Sequence, residues 1–379
     1  MLFVTDDLRI RSTQVLSPPA FVHQELPITD SVSARVHQAR IHICEILKGN
    51  DDRLLVVVGP CSIHDVNAAR HYARLLKSAI DELSRELFIV MRVYCEKPRT
   101  SVGWKGLIND PYLDQTFKIN DGLRMARHLL LDVVAMGVPV GTEFLDLFTP
   151  QYFVDLVSWG SIGARTTESQ IHREMASGLS CPVGFKNSTS GNIGVAIEAI
   201  RTAAHPHSFV GYTKYGQAAI FGTSGNPDCH IVLRGGGGTV NYTPECVDDI
   251  CLQMERSELP PRVMIDCSHA NSNKDHRNQP MVCRNVAAQI AGGENRIFGV
   301  MLESNIVAGT QKLDLSNSLV YGQSITDSCL GWDEALVLLR ELSGAVRSGR
   351  KTSKMIGFPD SGKAKPFSEQ RVLFRKAGS

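Results

Sequence analysis

The stretch Leu54-Leu55-Val56-Val57-Val58-Gly59-Pro60-Cys61 decides the fold class, because a short run of branched apolar residues ends abruptly at a cysteine. Such runs, without polar alternation, are typical of strands that are buried on both faces of a parallel sheet. Seven more runs of this kind follow along the chain. The eight predicted strands span residues 54–59, 88–93, 138–142, 161–164, 182–185, 230–233, 262–266 and 297–302.

Each predicted strand is followed, at its end or just beyond it, by a charged, sulfur-bearing or imidazole side chain. These residues are Cys61, Arg92, Glu143, Arg165, Lys186, Arg234, His269 and Glu303. Segments with helical spacing separate most of the strands, and this alternation predicts an α/β protein with a (β/α)8 TIM barrel. The chemistry of such barrels lies at the C-terminal ends of the strands, so these residues outline a candidate active site.

Additions to the barrel are predicted at both ends of the chain and within it. We expect residues 1–50 to form an N-terminal extension that makes oligomer or regulatory contacts, and residues 51–346 to form the catalytic barrel. Two strand-like runs within residues 209–223 predict an inserted β-hairpin. Residues 347–379 carry nine Lys or Arg against two Asp or Glu, which predicts a disordered basic tail.

The bulk composition excludes several classes of protein. The 379 residues include 40 Lys or Arg and 39 Asp or Glu, so no overall basic field attracts nucleic acid. No apolar run approaches the roughly 18 residues of a membrane span, and the acidic start of the chain is unlike a signal peptide. The ten cysteines form no Cys-x-x-Cys pair, which is typical of reduced thiols, and we expect a cytoplasmic protein.

Positively charged residues gather at or beyond the predicted strand ends. Charges of one sign at one end of a barrel repel each other unless anions lie between them. Arg binds phosphate or carboxylate through two hydrogen bonds, and Lys supplies a point charge. The pattern predicts one or two small substrates with several negative charges. The cations are Arg92, Lys97, Arg99, Lys105, Arg165, Lys186 and Arg234.

The loop over residues 96–106 is a candidate phosphate-binding loop. Pro98 stiffens the loop, Thr100 offers a hydroxyl, and Gly103 and Gly106 permit tight turns. The same composition is also typical of an ordinary surface loop, so composition alone leaves both interpretations open.

Four residues that are distant in sequence form a candidate metal site. Cys61 follows the first predicted strand, His269 the seventh and Glu303 the eighth, and these strands are neighbours in a closed barrel. Asp327 follows a short way along the chain. One sulfur, one nitrogen and carboxylate oxygens suit a divalent ion such as Mn, Fe, Co or Zn, and no organic cofactor is expected. Hydrogen-bonded structural roles for these residues are the alternative.

Five motifs carry a resemblance to a known family. They are Gly59-Pro60-Cys61-Ser62-Ile63-His64-Asp65, residues 96–106, Gly163-Ala164-Arg165-Thr166-Thr167-Glu168-Ser169, Gly184-Phe185-Lys186-Asn187 and Ser268-His269-Ala270-Asn271. They closely resemble the type I, feedback-regulated 3-deoxy-D-arabino-heptulosonate-7-phosphate (DAHP) synthases of bacteria and fungi. The similarity covers about residues 6–346, in the same order and spacing.

This resemblance implies that phosphoenolpyruvate condenses with D-erythrose 4-phosphate and releases phosphate, the first step of the shikimate pathway to aromatic amino acids. By motif match, the implied metal ligands are Cys61, His269, Glu303 and Asp327, and the implied catalytic residues are Lys97, Cys61, His269 and Glu143. The implied substrate-binding residues are Arg92, Lys97, Pro98, Arg99, Thr100, Lys105, Gly163, Ala164, Arg165, Lys186 and Arg234. Among these, Pro98, Arg99 and Thr100 would receive erythrose 4-phosphate.

The resemblance also implies feedback inhibition by an aromatic amino acid that binds away from the barrel mouth. The implied effector residues are Asp6, Asp7, Leu147, Pro150, Gln151, Leu179, Ser180, Phe209, Gly211 and Phe221. Tyrosine-sensitive members of the family tend to carry Gly at the position of Gly211, so tyrosine is the favoured effector. Phenylalanine and tryptophan are the alternatives. A homodimer or homotetramer is expected, with Asp6 and Asp7 supplied by a neighbouring subunit.

Three other functions compete with this interpretation. One is a condensation of the 3-deoxy-octulosonate-8-phosphate synthase type, which uses arabinose 5-phosphate. Another is a Schiff-base aldolase that uses Lys186. The third is a sugar-phosphate-binding regulatory protein on an inactive barrel, since a fold alone does not fix a function.

Overall fold

The predicted barrel is confirmed by the computed structural model, which describes residues 3–99, 101–314 and 318–356. In chain order the strands are β1 (Leu54–Gly59), β2 (Leu87–Arg92), β3 (Val140–Glu143), β4 (Trp159–Ile162), β5 (Val183–Lys186), β6 (Ser208–Tyr212), β7 (Ala218–Gly222), β8 (Cys229–Leu233), β9 (Val263–Asp266), β10 (Ile297–Glu303), β11 (Val307–Thr310) and β12 (Gln323–Ser324). Eight parallel strands close into a barrel in the order β1-β10-β9-β8-β5-β4-β3-β2.

Helices cover the outside of the barrel, and side-chain caps fix where several of them begin. In chain order the helices are α1 (Pro19–Glu25), α2 (Asp30–Lys48), α3 (Val66–Leu83), α4 (Ile119–Ala135), α5 (Pro150–Phe153), α6 (Gln170–Ser177), α7 (Gly194–Ala203), α8 (Pro244–Arg256), α9 (Gln279–Ala291) and α10 (Trp332–Ile356). The Asp65 carboxylate accepts hydrogen bonds from the backbone N–H groups of Asn67 and Ala68 at the start of α3. This cap lies four residues after Cys61 and holds the loop that carries that thiol.

The C-terminal ends of the barrel strands meet at one rim. Gly59 at the end of β1 pairs with Glu303 at the end of β10, and Lys186 at the end of β5 pairs with Val232 of β8. Because the strands are parallel, residues that follow different strands reach the same end of the barrel. The polar residues selected from the sequence therefore share one face of the molecule.

Helix α2 closes the opposite, N-terminal end of the barrel. Its Ile43 and Ile46 are fully buried and pack against side chains of the barrel interior. These interior side chains are Leu55, Val57, Val90, Trp159, Val232, Met264, Phe298 and Met301. Burial of each isoleucine stabilises the fold by roughly 1.5–3 kcal/mol, so the N-terminal extension completes the core of the barrel.

One polar pair lies inside this apolar core. Trp159 Nε1 donates a hydrogen bond of 2.9 Å to His230 Nε2, and both side chains are buried. Burial lowers the pKa of His230 to about 4, so the imidazole is neutral near pH 7 and can accept this bond.

The inserted hairpin is also confirmed. Strands β6 and β7 pair antiparallel between α7 and β8, and their side chains alternate between half-buried and exposed. The rings of Phe209 and Phe221 lie on the half-buried side with centroids 6.0 Å apart. Tyr212 meets Phe148 edge-on at 4.5 Å, so the hairpin contacts the segment that leads into α5.

The last helix extends ten residues beyond the predicted boundary at residue 346 and ends at Ile356. Arg350 explains part of this extension, because its Nη2 donates to Asp52 Oδ1 at 2.5 Å and to the Arg85 carbonyl at 3.1 Å. The remainder of the predicted basic tail, residues 357–379, lies outside the described residues. Within the described part of the chain, no helix has both the length and the apolarity to cross a membrane.

Candidate active site

Three candidate metal ligands converge at the C-terminal rim of the barrel. Cys61 Sγ and a carboxylate oxygen from each of Glu303 and Asp327 lie within 4.8 Å of one another. Cys61 and Glu303 are buried, whereas the Asp327 side chain is 46% exposed. One side of this group is therefore open to solvent, and a substrate can approach the group from that side.

Lys97 lies against this group and supplies its positive charge. Its Nζ is 2.8 Å from Cys61 Sγ and 2.8 Å from Asp327 Oδ2. Although burial opposes the charge, the thiol site, Asp327 and Glu303 together raise the pKa of Lys97 above its ordinary value. Lys97 in turn lowers the pKa of Asp327, against the effect of burial, so the pair is charged.

The donor set fits a divalent transition ion. A thiol and two carboxylates lie together, and Lys97 Nζ contacts the thiol and one of the carboxylates. Sulfur and carboxylate donors of this kind suit a divalent transition ion. Burial raises the pKa of Cys61 to about 12, so the sulfur carries a proton unless a cation stronger than the ammonium displaces that proton.

His269, the fourth ligand selected from the sequence, lies next to this group but not within it. Its Nε2 is 3.8 Å from Glu303 Oε1, and its Nδ1 is 2.8 Å from Asp266 Oδ2. The residue adopts a left-handed backbone conformation with φ at 52°, which turns the chain sharply after β9. His269, Glu303 and Asp327 line the same small cavity.

Asp266 connects the metal-ligating side of the site with its cationic side. The fully buried carboxylate is 3.1 Å from Lys186 Nζ and 2.8 Å from His269 Nδ1, and it accepts a hydrogen bond from the Ser268 hydroxyl. Burial alone would raise the pKa of Asp266, but His269 and Lys186 hold it well below its ordinary value. The Asp266 carboxylate therefore orients both His269, a candidate metal ligand, and Lys186, a candidate substrate-binding residue.

Arg92 is a buried arginine with hydrogen-bonding capacity that its neighbours leave unused. Its Nη2 donates to Glu303 Oε1 at 3.0 Å, and its guanidinium lies over the Tyr94 ring at 3.9 Å. Its Nη1 meets only a weak acceptor, the sulfur of Met301, at 2.8 Å. Arg92 can therefore offer a strong hydrogen bond to an anionic substrate.

Arg234 is held in place by amide side chains. Its backbone N–H donates to Asn187 Oδ1 at 2.8 Å, and the same oxygen accepts a hydrogen bond from Asn241 Nδ2 at 3.2 Å. Gly235 follows with φ at 68°, and a Cβ there would lie 2.9 Å from the Asn271 backbone nitrogen. Glycine is required at this close approach, and it fixes the direction in which Arg234 enters the rim.

The predicted phosphate loop lies at the edge of the site. The Lys97 amide donates to the Lys105 carbonyl at 2.9 Å and closes the base of the loop. Arg99 and Lys105 are exposed, and Pro98 is half-buried. Thr100 lies outside the described residues.

The remaining rim residues follow β3 and β4. The carboxylate of Glu143, a buried side chain, packs on Gly163, where a Cβ would lie 2.2 Å from Oε1. Gly163 is itself buried, Ala164 is half-buried and Arg165 is exposed. Because Gly163 has no side chain, the Glu143 carboxylate can pack directly on the backbone that follows β4.

Most of the residues assigned to the effector lie on the hairpin or on segments that it contacts. Lys214 Nζ, beyond β6, donates to the Gln151 carbonyl of α5, and Ser177 Oγ at the end of α6 is 2.7 Å from Thr223 Oγ1. The hairpin thus bridges the segments that carry Leu147, Pro150, Gln151, Leu179 and Ser180. A Cβ at Gly211 would lie 2.4 Å from the Phe221 ring, so that ring occupies the space above the glycine. Asp6 and Asp7 are exposed.

Sequence reasoning missed two residues of the site. Asp266 ends the predicted strand 262–266, so it carries the same strand-end signal as the other rim residues. The Tyr94 ring lies against the Arg92 guanidinium, and its hydroxyl is 2.9 Å from Ser161 Oγ. No feature of the sequence indicates that Tyr94 belongs to the site. Its role depends on a contact between strands.

Comparisons with known proteins identify the family of this chain. Residues 25–340 match the model of the DAHP synthetase I family. The chain is 57% identical over 350 residues to the Phe-sensitive phospho-2-dehydro-3-deoxyheptonate aldolase of Escherichia coli K12, which covers 92% of this chain and 100% of that one. It is 51% identical over 353 residues to the tyrosine-inhibited enzyme of Schizosaccharomyces pombe, with 92% and 95% covered.

A solved structure extends the agreement to three dimensions. The phospho-2-dehydro-3-deoxyheptonate aldolase of Francisella tularensis SCHU S4 superimposes with a TM-score of 0.88 at 49% identity. The match covers 90% of this chain and 99% of that chain. The similarities confirm the predicted enzyme class. The chain belongs to the DAHP synthetase I family.

Proposed function

We propose that the chain condenses phosphoenolpyruvate with D-erythrose 4-phosphate, releases phosphate, and is inhibited by an aromatic amino acid. The observation that carries this proposal is the contact of Lys97 Nζ with both Cys61 Sγ and Asp327 Oδ2. A proton-donating lysine thereby adjoins a metal-binding pocket at the barrel rim, next to the buried cations Arg92 and Lys186. Family membership supports the same reaction.

The buried cations suit phosphoenolpyruvate. Arg92 and Lys186 are held by Glu303 and Asp266, so their charges persist in the interior and their positions are fixed. Arg92 Nη1 and the exposed Arg165, together with Arg234, offer donors to a phosphate and a carboxylate. Because this first substrate is held rigidly, its C3 can be presented to the aldehyde carbon of the second substrate.

The exposed cations suit erythrose 4-phosphate. Arg99 and Lys105 lie on a loop whose base is closed by the Lys97 amide, and Pro98 limits its conformations. A phosphate bound on this loop would place the aldehyde end of the substrate toward Lys97. Lys97 then donates a proton to the oxygen formed from the aldehyde, and Glu143 orders the water that adds at C2.

We assign Cys61, His269, Glu303 and Asp327 as ligands of one divalent ion, either Mn, Fe, Co or Zn. When bound, the ion acts as a Lewis acid that polarises the aldehyde oxygen. Asp266 holds His269 through Nδ1 and leaves Nε2 directed to the side of Glu303, as a ligating histidine requires.

Phosphate release from phosphoenolpyruvate tests the proposal, with erythrose 4-phosphate or arabinose 5-phosphate as the acceptor. We expect turnover with erythrose 4-phosphate only, loss of turnover after chelation, and recovery when a divalent ion is added back. Cys61→Ser should lower the bound metal measured by mass spectrometry, whereas Cys246→Ser, at a half-buried thiol outside the site, should not. Turnover that survives complete chelation, or a Lys186 adduct trapped by borohydride, contradicts the proposal.

We propose tyrosine as the effector, with phenylalanine and tryptophan as alternatives. Gly211 supports tyrosine only if the Phe221 ring turns, because that ring fills the space in which a phenol oxygen would lie. Inhibition by each of the three amino acids should be strongest with tyrosine and about tenfold weaker in Gly211→Ser, whose Oγ meets the same ring. Phenylalanine as the strongest inhibitor of the unmodified enzyme overturns this choice.

We also propose that the protein is a homodimer or homotetramer. Val210 and Ile220, on the outer face of the hairpin, are 77% and 80% exposed, and Phe3 and Val4 in the N-terminal segment are equally open. Exposed apolar side chains of this kind are typical of interfaces. Light scattering should give at least twice the mass of the chain, and a purely monomeric solution contradicts the proposal.

A further inference from the structure

A second cavity lies at the N-terminal end of the barrel, opposite the active site. Its volume is about 720 Å3. The residues that immediately precede β1, β9 and β10 form its floor, and the extended end of α10 forms one wall. Cavities of this size accommodate small organic molecules. Its charged lining residues include Arg53, Arg262, Glu294, Arg296 and Arg350.

Three of the four arginines in this cavity have acidic partners. Arg53 Nη2 is 2.5 Å from Asp51, and Arg350 Nη2 is 2.5 Å from Asp52. Arg296 contacts both Glu294 and Asp248. The acids around the cavity are thus engaged by these three arginines.

Arg262 has no such partner among the described residues. Its guanidinium makes no hydrogen bond or ion pair there, and its Nε is fully buried and unsatisfied. Burial lowers the pKa of Arg262, and no neighbouring carboxylate opposes this effect. An arginine is nevertheless charged at any physiological pH, so a half-buried positive charge lines the cavity without a counter-charge among the described residues.

The position of Arg262 is fixed by close packing. A Cβ at Gly49 would lie 2.5 Å from Arg262 Nη1, so the guanidinium packs on the glycine that ends α2. The carbonyl end of a helix favours a nearby cation by about 0.3–1 kcal/mol. The helix end therefore explains where the guanidinium lies but leaves its donors unused.

We propose that this cavity binds a small organic anion whose carboxylate or phosphate group pairs with Arg262. Apolar side chains that also line the cavity would contact the body of the ligand, namely Ile290, Ile297 and Val346. A planar guanidinium with free donors matches either oxyanion through two hydrogen bonds. The site is separate from the catalytic rim, since its lining residues precede the strands that the rim residues follow.

Fluorine NMR with 4,4,4-trifluorobutanoate tests the proposal on the full-length protein. The probe carries one carboxylate and a short apolar body, and its resonance broadens when the probe binds. We expect broadening with the unmodified protein and with Arg74→Gln, a control at an exposed arginine. With Arg262→Gln we expect binding about tenfold weaker or more, because a charge-assisted hydrogen bond is lost. Competition by inorganic phosphate or by butanoate distinguishes the two headgroups.

A crystal of the unmodified protein soaked in the probe gives an independent measurement if Arg262→Gln does not fold. Density for the carboxylate within hydrogen-bonding distance of the Arg262 Nη atoms supports the proposal. Density only at the C-terminal rim or around the hairpin, or equal broadening with Arg262→Gln, overturns it. Condensation activity of Arg262→Gln should equal that of the unmodified enzyme, so failure here leaves the proposed reaction untouched.

Discussion

The two ends of the barrel use charge in different ways. At the C-terminal rim, buried cations and anions pair with one another across strands, as Arg92 does with Glu303 and Lys186 with Asp266. At the N-terminal end, α2 fills the barrel with apolar side chains, and charged residues remain outside this core. The same strands supply both ends, and only the positions along each strand differ.

This difference separates function from stability within one fold. Buried ion pairs contribute little net stability, because desolvation offsets their attraction, but they hold groups in fixed positions. Apolar packing against α2 stabilises the fold without specifying any chemistry. A substitution that removes one partner also leaves the other charge buried and unpaired. Substitutions at the rim should therefore change catalysis as well as folding, whereas substitutions at the N-terminal end should change folding alone.

The largest expected effect is at Lys97. Lys97→Met removes the ammonium that contacts Cys61 and Asp327 and leaves no proton donor in its place. We expect kcat to fall about a thousandfold, within the range for loss of a general acid. Phosphate release measures this loss, and Lys77→Met, at a partly exposed lysine on α3, should leave the rate unchanged. A loss of less than tenfold would remove Lys97 from the chemistry.

The matching experiment at the N-terminal end of the barrel concerns Ile43. Ile43→Ala opens a cavity between α2 and the barrel interior and should lower the free energy of unfolding by about 3 kcal/mol. Ile41 is 41% exposed on the same helix, and its replacement by alanine should cost little. Denaturant unfolding measures both, and kcat of Ile43→Ala at 25 °C should remain that of the unmodified enzyme. A large loss of kcat would show that the two ends are coupled.

Asp266 tests whether one buried anion serves both sides of the rim. Asp266→Asn removes the charge that faces Lys186 and His269, and we expect a 10- to 100-fold loss in metal affinity or activity. If Asp266 acts on both neighbours, metal content and the KM for phosphoenolpyruvate change together. Asp249→Asn, on the surface of α8, is the control. A change in stability alone would assign Asp266 a purely structural role.

The smallest expected effect is the pH dependence of stability that results from His230, in the barrel core near the N-terminal end. The pKa of His230 is about 4 in the folded protein and near 6.5 in the unfolded chain. Below pH 6.5 the unfolded chain therefore binds a proton at His230, whereas the folded protein does not bind it until the pH approaches 4. Stability should fall by about 1 kcal/mol between pH 7 and pH 5.5. In His230→Gln, this part of the dependence of unfolding free energy on pH should disappear. In His205→Gln, at an exposed histidine, it should remain. Equal slopes in both variants would contradict the assignment.

Much of the rim was predictable from the sequence because strand ends carry a local signal. A run such as Leu54–Gly59 followed by Cys61 identifies both the strand and the residue at its end. Closure of the barrel then places Cys61 beside Glu303. The end of α10 was not predictable in this way, because Arg350 is held by Asp52 and Arg85, which are close only in the folded chain.

The sequence by itself determined the fold class, the end of the barrel that carries the chemistry, and most of the charged residues there, because strand periodicity and strand-end residues are local features. Only the tertiary structure decided the partners of those residues. The role of Asp266 between Lys186 and His269 and the place of Tyr94 under Arg92 depend on distances between strands. So does the finding that Arg262 has no acidic partner among the described residues. Such distances are set by the packing of the whole barrel, which no single segment encodes.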